Sequence, residues 1–443
     1  METILNKLKP AQIIAISFLI IIVVGTISLM LPIATKSGES TSLLDAIFTA
    51  TSATCVTGLT TLPTAYHWSF FGQVMILLMN EIGGLGFMTV VVILLTITGQ
   101  NPSLKYSMVI KESYNFANSG QAFKLINYII KMMAIIQIVG AILLGFSFVP
   151  MFGWEKGIWY SIFHSVSAVS NAGFDLFGNS LMDFANDPYI LIVMSLLILS
   201  GGFGFIIWMD LLNYRNNPRL SLHTRIALVM TALLVVGGTL MFMLIDAGNF
   251  DGNILDYFSQ NFFLAVSPRT AGFNIYDYNK MPYSSVLLTM ILMFIGGTSG
   301  STSGGIKTTT FGVLLLNIRS ILRREDVTTY HYRTIPTHTV RQVYEVIFLY
   351  MTVTFASSFV LLMTEKLPIY NGIEYIFFEV VAAISTAGFS MGMTPDLSVF
   401  GKILIIILMF VGRIGLFTII YSINHSDKRE SYFKYPEEQV IIG

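Results

Sequence analysis

The residues of this chain best suited to chemistry are four glycines that each follow a short polar turn, and the chemistry they suit is coordination, with no bond broken. Ser385-Thr386-Ala387-Gly388-Phe389 recurs almost letter for letter as Ser170-Asn171-Ala172-Gly173-Phe174 and Thr270-Ala271-Gly272-Phe273, with a looser copy at Thr54-Cys55-Val56-Thr57-Gly58-Leu59. The glycines stand about a hundred residues apart, so the repeat is a whole module and not a solenoid unit. Each follows a long apolar run and then a short one, and each precedes a second long apolar run. Glycine tolerates left-handed backbone and leaves no side chain to occlude a path. A short helix ending beside it points about half a negative charge at the same place. The stretches Thr57-Gly58, Asn171-Ala172-Gly173, Thr270-Ala271-Gly272 and Thr386-Ala387-Gly388 are therefore candidates to replace the hydration shell of a monovalent cation with carbonyl oxygens. Helix caps in an ordinary bundle account for one such turn, but not for four in matched settings.

The elements that must carry these turns lie in a membrane. The chain is 54% hydrophobic and only 11% charged, against about a quarter charged in soluble domains, and its mean hydropathy is +0.71. Apolar runs of 18 or more residues are read as bilayer spans. The sequence predicts first spans over residues 11–31, 225–245 and 343–363 and one ending at about 149, and second spans over 70–98, 189–212, 283–318 and 400–421. Between them lie short runs at 43–53, 158–169, 254–266 and 373–384, too short to cross about 30 Å of hydrocarbon. The expected architecture is all-α: four span–pore helix–span modules around one central pore, with eight full transmembrane helices. Its modules would be residues 1–100, 101–214, 215–322 (with a broken second span) and 323–423, followed by a tail at 424–443. Most of the 25 Lys and Arg fall in the connections on the side of the N-terminus, so the positive-inside rule places both termini in the cytoplasm and makes the short helices enter from outside. A net charge of zero points to no nucleic-acid partner. The single Cys55 excludes an intrachain disulfide.

One second span is interrupted. Gly296-Gly297-Thr298-Ser299-Gly300-Ser301-Thr302-Ser303-Gly304-Gly305 contains no good helix former, which predicts a loop within the membrane just below the third glycine turn. No other second span shows such a run. Gly300 to Thr308 approximates the phosphate-binding GxxxxGK[ST], but Ile306 separates the glycine from Lys307 and no soluble strand precedes it. Arg413 lies inside an apolar span, where an unpaired arginine costs about 2.5–3.5 kcal/mol. The hydroxyls and carbonyls of residues 296–305 are its expected partners, and together they form a candidate gate. Asp45, Asp256, Glu374 and Glu379 sit in or beside the short helices, where they either attract cations or cap helix N-termini. Arg269 is expected to pair with such an acid, Glu379 for example. Asn80 and Glu81 are expected to pack as a polar pair between helices, and His164 as a hydrogen-bonding core residue.

The four single-glycine turns, Thr57-Gly58-Leu59, Ser267-Pro268-Arg269-Thr270-Ala271-Gly272-Phe273, Gly412-Arg413-Ile414-Gly415 and the Tyr435-Pro436 tail resemble the Trk/Ktr/HKT potassium transporter superfamily, and within it the membrane subunit of bacterial Ktr systems. The resemblance covers essentially the whole chain. It implies potassium uptake through a channel-like pore, filter glycines at Gly58, Gly173, Gly272 and Gly388, and a gating loop at 296–305 held by Arg413. It further implies a bacterial cell-membrane location, a homodimer, a cytosolic ring of nucleotide-binding regulatory subunits, and sodium as an activator. Cys55-Val56-Thr57 departs from the other lead-ins, so the pore is only approximately four-fold. A secondary symporter coupling potassium to sodium or protons is the alternative. It would require an alternating-access element, whereas these repeats are parallel and centred on the glycines. An enzyme would require a convergent acid, base or metal cluster at membrane depth, and the sequence offers only scattered single charges.

Overall fold

The computed structural model describes residues 10–86, 122–215, 218–249, 253–367 and 372–416. Fourteen helices of eight residues or more follow one another in a recurring pattern. The first group is α1 (Pro10–Met30), α2 (Leu43–Thr54) and α3 (Phe70–Leu85). The second is α4 (Ala122–Phe152), α5 (Trp154–Val169), α6 (Pro188–Gly202) and α7 (Phe205–Leu212). The third is α8 (Leu222–Ile245), α9 (Ile254–Val266), α10 (Tyr283–Phe294) and α11 (Thr308–Leu322), and the fourth is α12 (Thr337–Thr364), α13 (Ile373–Ile384) and α14 (Val399–Ile414). A two-stranded antiparallel hairpin, Thr329–Tyr330 with Arg333–Thr334, joins α11 to α12.

Four helices are long and apolar enough to cross a membrane among the described residues, and they are the first helix of each group: Gln12–Met30, Tyr128–Phe152, Leu222–Ile245 and Thr337–Thr364. Their outward faces are bare apolar side chains such as Ile20, Val23, Ile138, Leu240 and Phe359, as lipid contact demands. Hydroxyls within them donate to the carbonyl one turn back, as Thr26 does to Ile22 and Thr239 to Val235 at 2.8 and 2.7 Å, so no polar atom is offered to hydrocarbon. The short helices form the inner layer. From Tyr375 to Ile384 nearly every side chain of α13 is buried, and α2 is buried from Phe48 to Thr54. Twelve residues of helix rise about 18 Å, well short of a bilayer.

Packing closes the layer into a ring. Each long helix packs on the short helix that follows it: α1 on α2, α4 on α5, α8 on α9, α12 on α13. The helix after each short one also contacts the short helix of the next group: α3 with α5, α6 with α9, α10 with α13, and α14 back to α2. Polar caps fix the entries. Ser42 accepts the Asp45 amide, Ser69 that of Gly72, Asp187 that of Ile190, Ser221 that of Thr224 and Ser398 that of Gly401.

Two expectations need correction. The second short helix begins at Trp154 and not at residue 158, because Gly153, with φ of +80°, breaks the chain immediately before it. The interruption at 295–307 is also not the only break. The helix over 188–202 stops at Gly202 and resumes at Phe205 at an angle of 98°, and α3 and α14 end at Leu85 and Ile414 ahead of left-handed Gly86 and Gly415. The continuations expected to Thr98 and Tyr421, the connection carrying Lys105 and Lys111, Lys7 and Lys9, and the tail at 424–443 lie outside the described residues.

Candidate ion-conduction site

The four glycine turns share one backbone construction. After α2, α5 and α13 comes a residue in left-handed conformation: Val56 (φ +55°), Asn171 (+57°) and Thr386 (+50°). In each, the next amide reaches back to close a Schellman cap: Thr57 to Ser52 O, Ala172 to Ser167 O and Ala387 to Ala382 O, all at 2.8 Å. The third turn reaches the same posture differently. Pro268 lacks an N–H, the helix ends at Val266, and the closing bond spans four residues where the others span five, with Thr270 at φ +73° and Ala271 N bonded to Ser267 O at 3.0 Å. Valine and threonine are strained there, at about 1–3 kcal/mol each, and such strain persists where the surroundings impose it.

Two residues on, the chain returns to positive φ at Gly58 (+91°), Gly173 (+72°), Gly272 (+76°) and Gly388 (+79°). These glycines lie against one another in cyclic order. A Cβ built on Gly58 would come within 2.6 Å of Ala172 O, one on Gly173 within 2.9 Å of Ala271 O, and one on Gly272 within 3.2 Å of Ala387 O. A Cβ on Gly388 would collide with Thr57 O, which closes the circle. The carbonyl preceding each glycine thus abuts the neighbouring glycine, and no side chain fits between them. Serines hold three of the turns: Ser52 Oγ accepts the Gly58 amide at 3.1 Å, and Ser167 and Ser267 donate to Phe174 O and Phe273 O at 2.8 and 2.6 Å. The hydroxyls of Thr54, Thr57, Thr270, Ser385 and Thr386 are fully buried without a hydrogen-bond partner. Buried orphan oxygens call for an ion or water.

On one side the ring opens into a vestibule lined by Thr60, Thr61, Thr64, Asp175 and Pro395 together with Gly58 and Gly173. Burial pushes the Asp175 carboxyl up from its ordinary value, opposed by hydrogen bonds from the Gly178 and Phe177 amides at 2.6 and 2.9 Å. Asp45, in the first turn of α2, accepts the Ser42 hydroxyl at 2.7 Å and pairs with Lys402 at 3.3 Å.

On the other side lies the glycine-rich segment. Gly296 packs on Thr270 and Gly304 on Thr386, while the Asn171 amide pairs with the Ser303 hydroxyl at 2.7 Å. The segment therefore touches three of the four left-handed residues of the ring. It is pinned across the break between α6 and α7: Thr298 N and Thr302 Oγ1 donate to Gly202 O and Gly201 O at 3.1 and 3.0 Å, and Phe205 N donates to Gly300 O at 3.0 Å. That break exists because these backbone groups bond to the loop in place of a helical ladder. Arg413 donates to Thr302 O, to Gly83 O and, at 3.2 Å, to Gly84 O, and Lys307 donates to Ser303 O at 2.6 Å. Three modules are joined through one guanidinium.

The geometry also assigns a role to three further glycines. Gly83, Gly201 and Gly412 each receive the last carbonyl of a short helix, Thr54 O, Val169 O and Ile384 O. The signal was available: Gly83-Gly84, Gly201-Gly202, Gly296-Gly297 and Gly412-Arg413 recur at a similar distance after each ring glycine. Arg413 occupies the place of the second glycine. The expected Arg269–Glu379 pair does not form. Arg269 donates to Thr308 and Thr231 hydroxyls at 3.2 and 3.5 Å, and Glu379 accepts from Ser390 at 2.9 Å and from Thr394. Glu81 accepts from Gln137 at 2.7 Å and is not paired with Asn80. His164 hydrogen-bonds Tyr160 O and the Leu176 amide at 2.8 and 3.3 Å as a core residue.

Residues 3–434 match the family model TrkH, cation transport protein. The chain belongs to that family. It is 43% identical over 442 residues to the potassium/sodium uptake protein NtpJ of Enterococcus hirae, covering 99% of this chain and 98% of that protein. It is 36% identical over 441 residues to the Ktr system potassium uptake protein B of Bacillus subtilis, covering 99% and 97%. Its fold is similar to the crystal structure of the potassium transporter TrkH from Vibrio parahaemolyticus, with a TM-score of 0.74 at 18% identity, covering 94% of this chain and 84% of that one. For this TrkH-family chain, cation transport is the chemistry that a ring of backbone oxygens can perform, and membrane residence follows from its apolar helices.

Proposed function

We propose that this protein takes up potassium through a channel-like pore whose selectivity filter is the ring around Gly58, Gly173, Gly272 and Gly388. The observation that carries the reading is the cyclic contact of those four glycines, each beside its neighbour's preceding carbonyl. Carbonyl oxygens of Thr57, Ala172, Ala271 and Ala387, supplemented by the hydroxyls of Thr57, Thr270 and Thr386, substitute for the ion's hydration water, and four short helices direct their negative ends to the same axis. The sequence similarity to the potassium/sodium uptake protein of E. hirae and the potassium uptake protein B of B. subtilis supports potassium as the cargo.

In this reading residues 296–305 are the gate and Arg413 is its latch. The four modules divide at residues 100, 214, 322 and 423 and contribute eight spans, with both termini in the cytoplasm and the Asp175 vestibule outside. A homodimer on a cytosolic nucleotide-binding ring, with sodium as activator, completes the scheme that the resemblance implies. The test is potassium uptake by cells deprived of their own uptake systems, with wild type compared with a chain lacking residues 299–302. Wild type should restore growth at low potassium, and the shortened loop should raise the flux. Restored growth with unchanged flux from a correctly inserted shortened chain would remove the gate from the scheme.

A further inference from the structure

The fourth quarter of the ring is held differently from the other three. Ser52 ties the end of its short helix to the amide of the ring glycine Gly58, and Ser167 and Ser267 tie theirs to the carbonyl of the residue just after the glycine. In the fourth module the position corresponding to Ser52 and Ser167 is Ala382, which offers no hydroxyl. One helical turn earlier stands Glu379, completely buried. Its Oε2 accepts the Ser390 hydroxyl at 2.9 Å and its Oε1 accepts the Thr394 hydroxyl, while Thr394 also reaches Ser390 Oγ at 3.0 Å. Ser390 lies in the segment that leaves Gly388 and Thr394 opens the 3-10 turn Thr394–Asp396 that follows it, and Ser390 Oγ takes the Gly392 amide at 3.0 Å. Among the described residues no Lys, Arg or His lies within ion-pair distance of Glu379. His164 is the corresponding residue of the second module, nine positions before its glycine, but there Ser167 is present as well.

A buried carboxylate without a cation is expensive to keep, so it calls for a role that alanine or leucine would not fill. We propose that Glu379 is a filter-positioning and selectivity-determining residue, which replaces the serine tie of the other modules with a two-oxygen carboxyl tie to Ser390 and Thr394 and so fixes the fourth quarter of the ring. Because the ring closes from Gly388 to Thr57, a slack fourth strand would loosen its contacts with both the first and third strands. A looser ring admits the smaller, more strongly hydrated sodium ion more readily. This inference rests on reading the ring as the selectivity filter.

The test is potassium and sodium flux by purified protein in liposomes, with KM and maximal rate measured for each ion. Glu379→Ala should lower discrimination between the ions about tenfold, the worth of one lost buried hydrogen bond, mainly through a higher KM for potassium. Adding Ala382→Ser to Glu379→Ala should recover at least threefold, since it transplants the tie used elsewhere, whereas a carboxylate that merely filled space would not be rescued. Should Glu379→Ala not fold, the pair Ser390→Ala with Thr394→Val loosens the same strand while leaving the carboxylate, and the same loss is expected. His164→Phe, with Ser167 intact, should lose less than threefold. Wild-type discrimination in Glu379→Ala, or a loss that Ala382→Ser does not repair, would overturn the proposal. Gly388→Ser in parallel separates the two levels: if it too left discrimination unchanged, the filter reading itself would be at fault.

Discussion

Replacing Arg413 by glutamine should open the pore. The guanidinium donates to Thr302 O on the central loop and to Gly83 O and Gly84 O at the end of α3. Only the first of these must break when the loop moves, because Gly83 is packed against the last carbonyl of α2. A hydrogen bond from a charged donor contributes about 1.5–3 kcal/mol, so losing it shifts the balance of open and closed loop by about tenfold to a hundredfold. If the closed form dominates at rest, resting flux rises by the same factor until the open form saturates. Glutamine retains one donor arm but no charge, and Arg413→Lys retains the charge without the fork; flux should rank wild type below lysine and lysine below glutamine. The assay is rubidium or potassium release from liposomes holding equal amounts of purified protein, without any activating partner. Unchanged release from well-folded Arg413→Gln protein would refute the latch, leaving the arginine as a structural bolt between α14 and α3.

Other substitutions probe separate parts of the account. Gly388→Ala forces a side chain into a left-handed residue (φ +79°) and against Thr57 O, a backbone strain of about 1–2 kcal/mol before the clash; uptake should be lost and the melting temperature lowered, whereas Gly392→Ala, which meets the same backbone strain (φ +84°) but open space, should lower the melting temperature and retain transport. Ser303→Ala removes the bond to Asn171 and should raise resting flux less than tenfold, consistent with a neutral hydrogen bond of about 1 kcal/mol. The Asp175 carboxyl is raised by burial, so it takes up its proton at less acidic pH than an ordinary aspartate as pH falls. Uptake at limiting potassium should therefore decline on acidification before ordinary carboxylates titrate. Asp175→Asn should give low, pH-independent uptake over that range, measured as initial rates between pH 4.5 and 8 (about the span of carboxylate and histidine titration).

Much of the site could be read from the sequence because it depends on local rules. A glycine closing a short polar turn after a helix is a backbone signature, and its fourfold repetition marks the same construction four times. Residues 254–266 and 373–384 could be placed to the residue as short helices, since Asn253 and Gly372 before them and the polar turns after them bound the apolar runs on both sides. What escaped was set by partners distant in sequence. The break at Gly202 follows from bonds to Thr298, Gly300 and Thr302 about a hundred residues away, and Gly201-Gly202 in isolation reads equally well as a site of close helix packing. Arg269 was matched with an acid on charge alone, whereas the fold gives it two threonine hydroxyls and gives Glu379 hydroxyls of its own. The ring contacts join four segments spread over most of the chain. No window of sequence contains them, although the repetition of the turns does.

The central claim is that backbone oxygens around four glycines select the ion, and its most direct test is a single substitution in the third of them. Initial rates of potassium and sodium uptake should be compared for wild type and Gly272→Ser in cells lacking their own potassium uptake. A serine at φ +76°, within 3.2 Å of Ala387 O and 3.0 Å of the Gly173 Cα, must distort the ring. Wild type should rescue growth at low potassium, and Gly272→Ser should lose potassium affinity and shift towards sodium. Equal potassium and sodium kinetics in wild type and a stably inserted Gly272→Ser protein would contradict the account and place selection elsewhere in the chain.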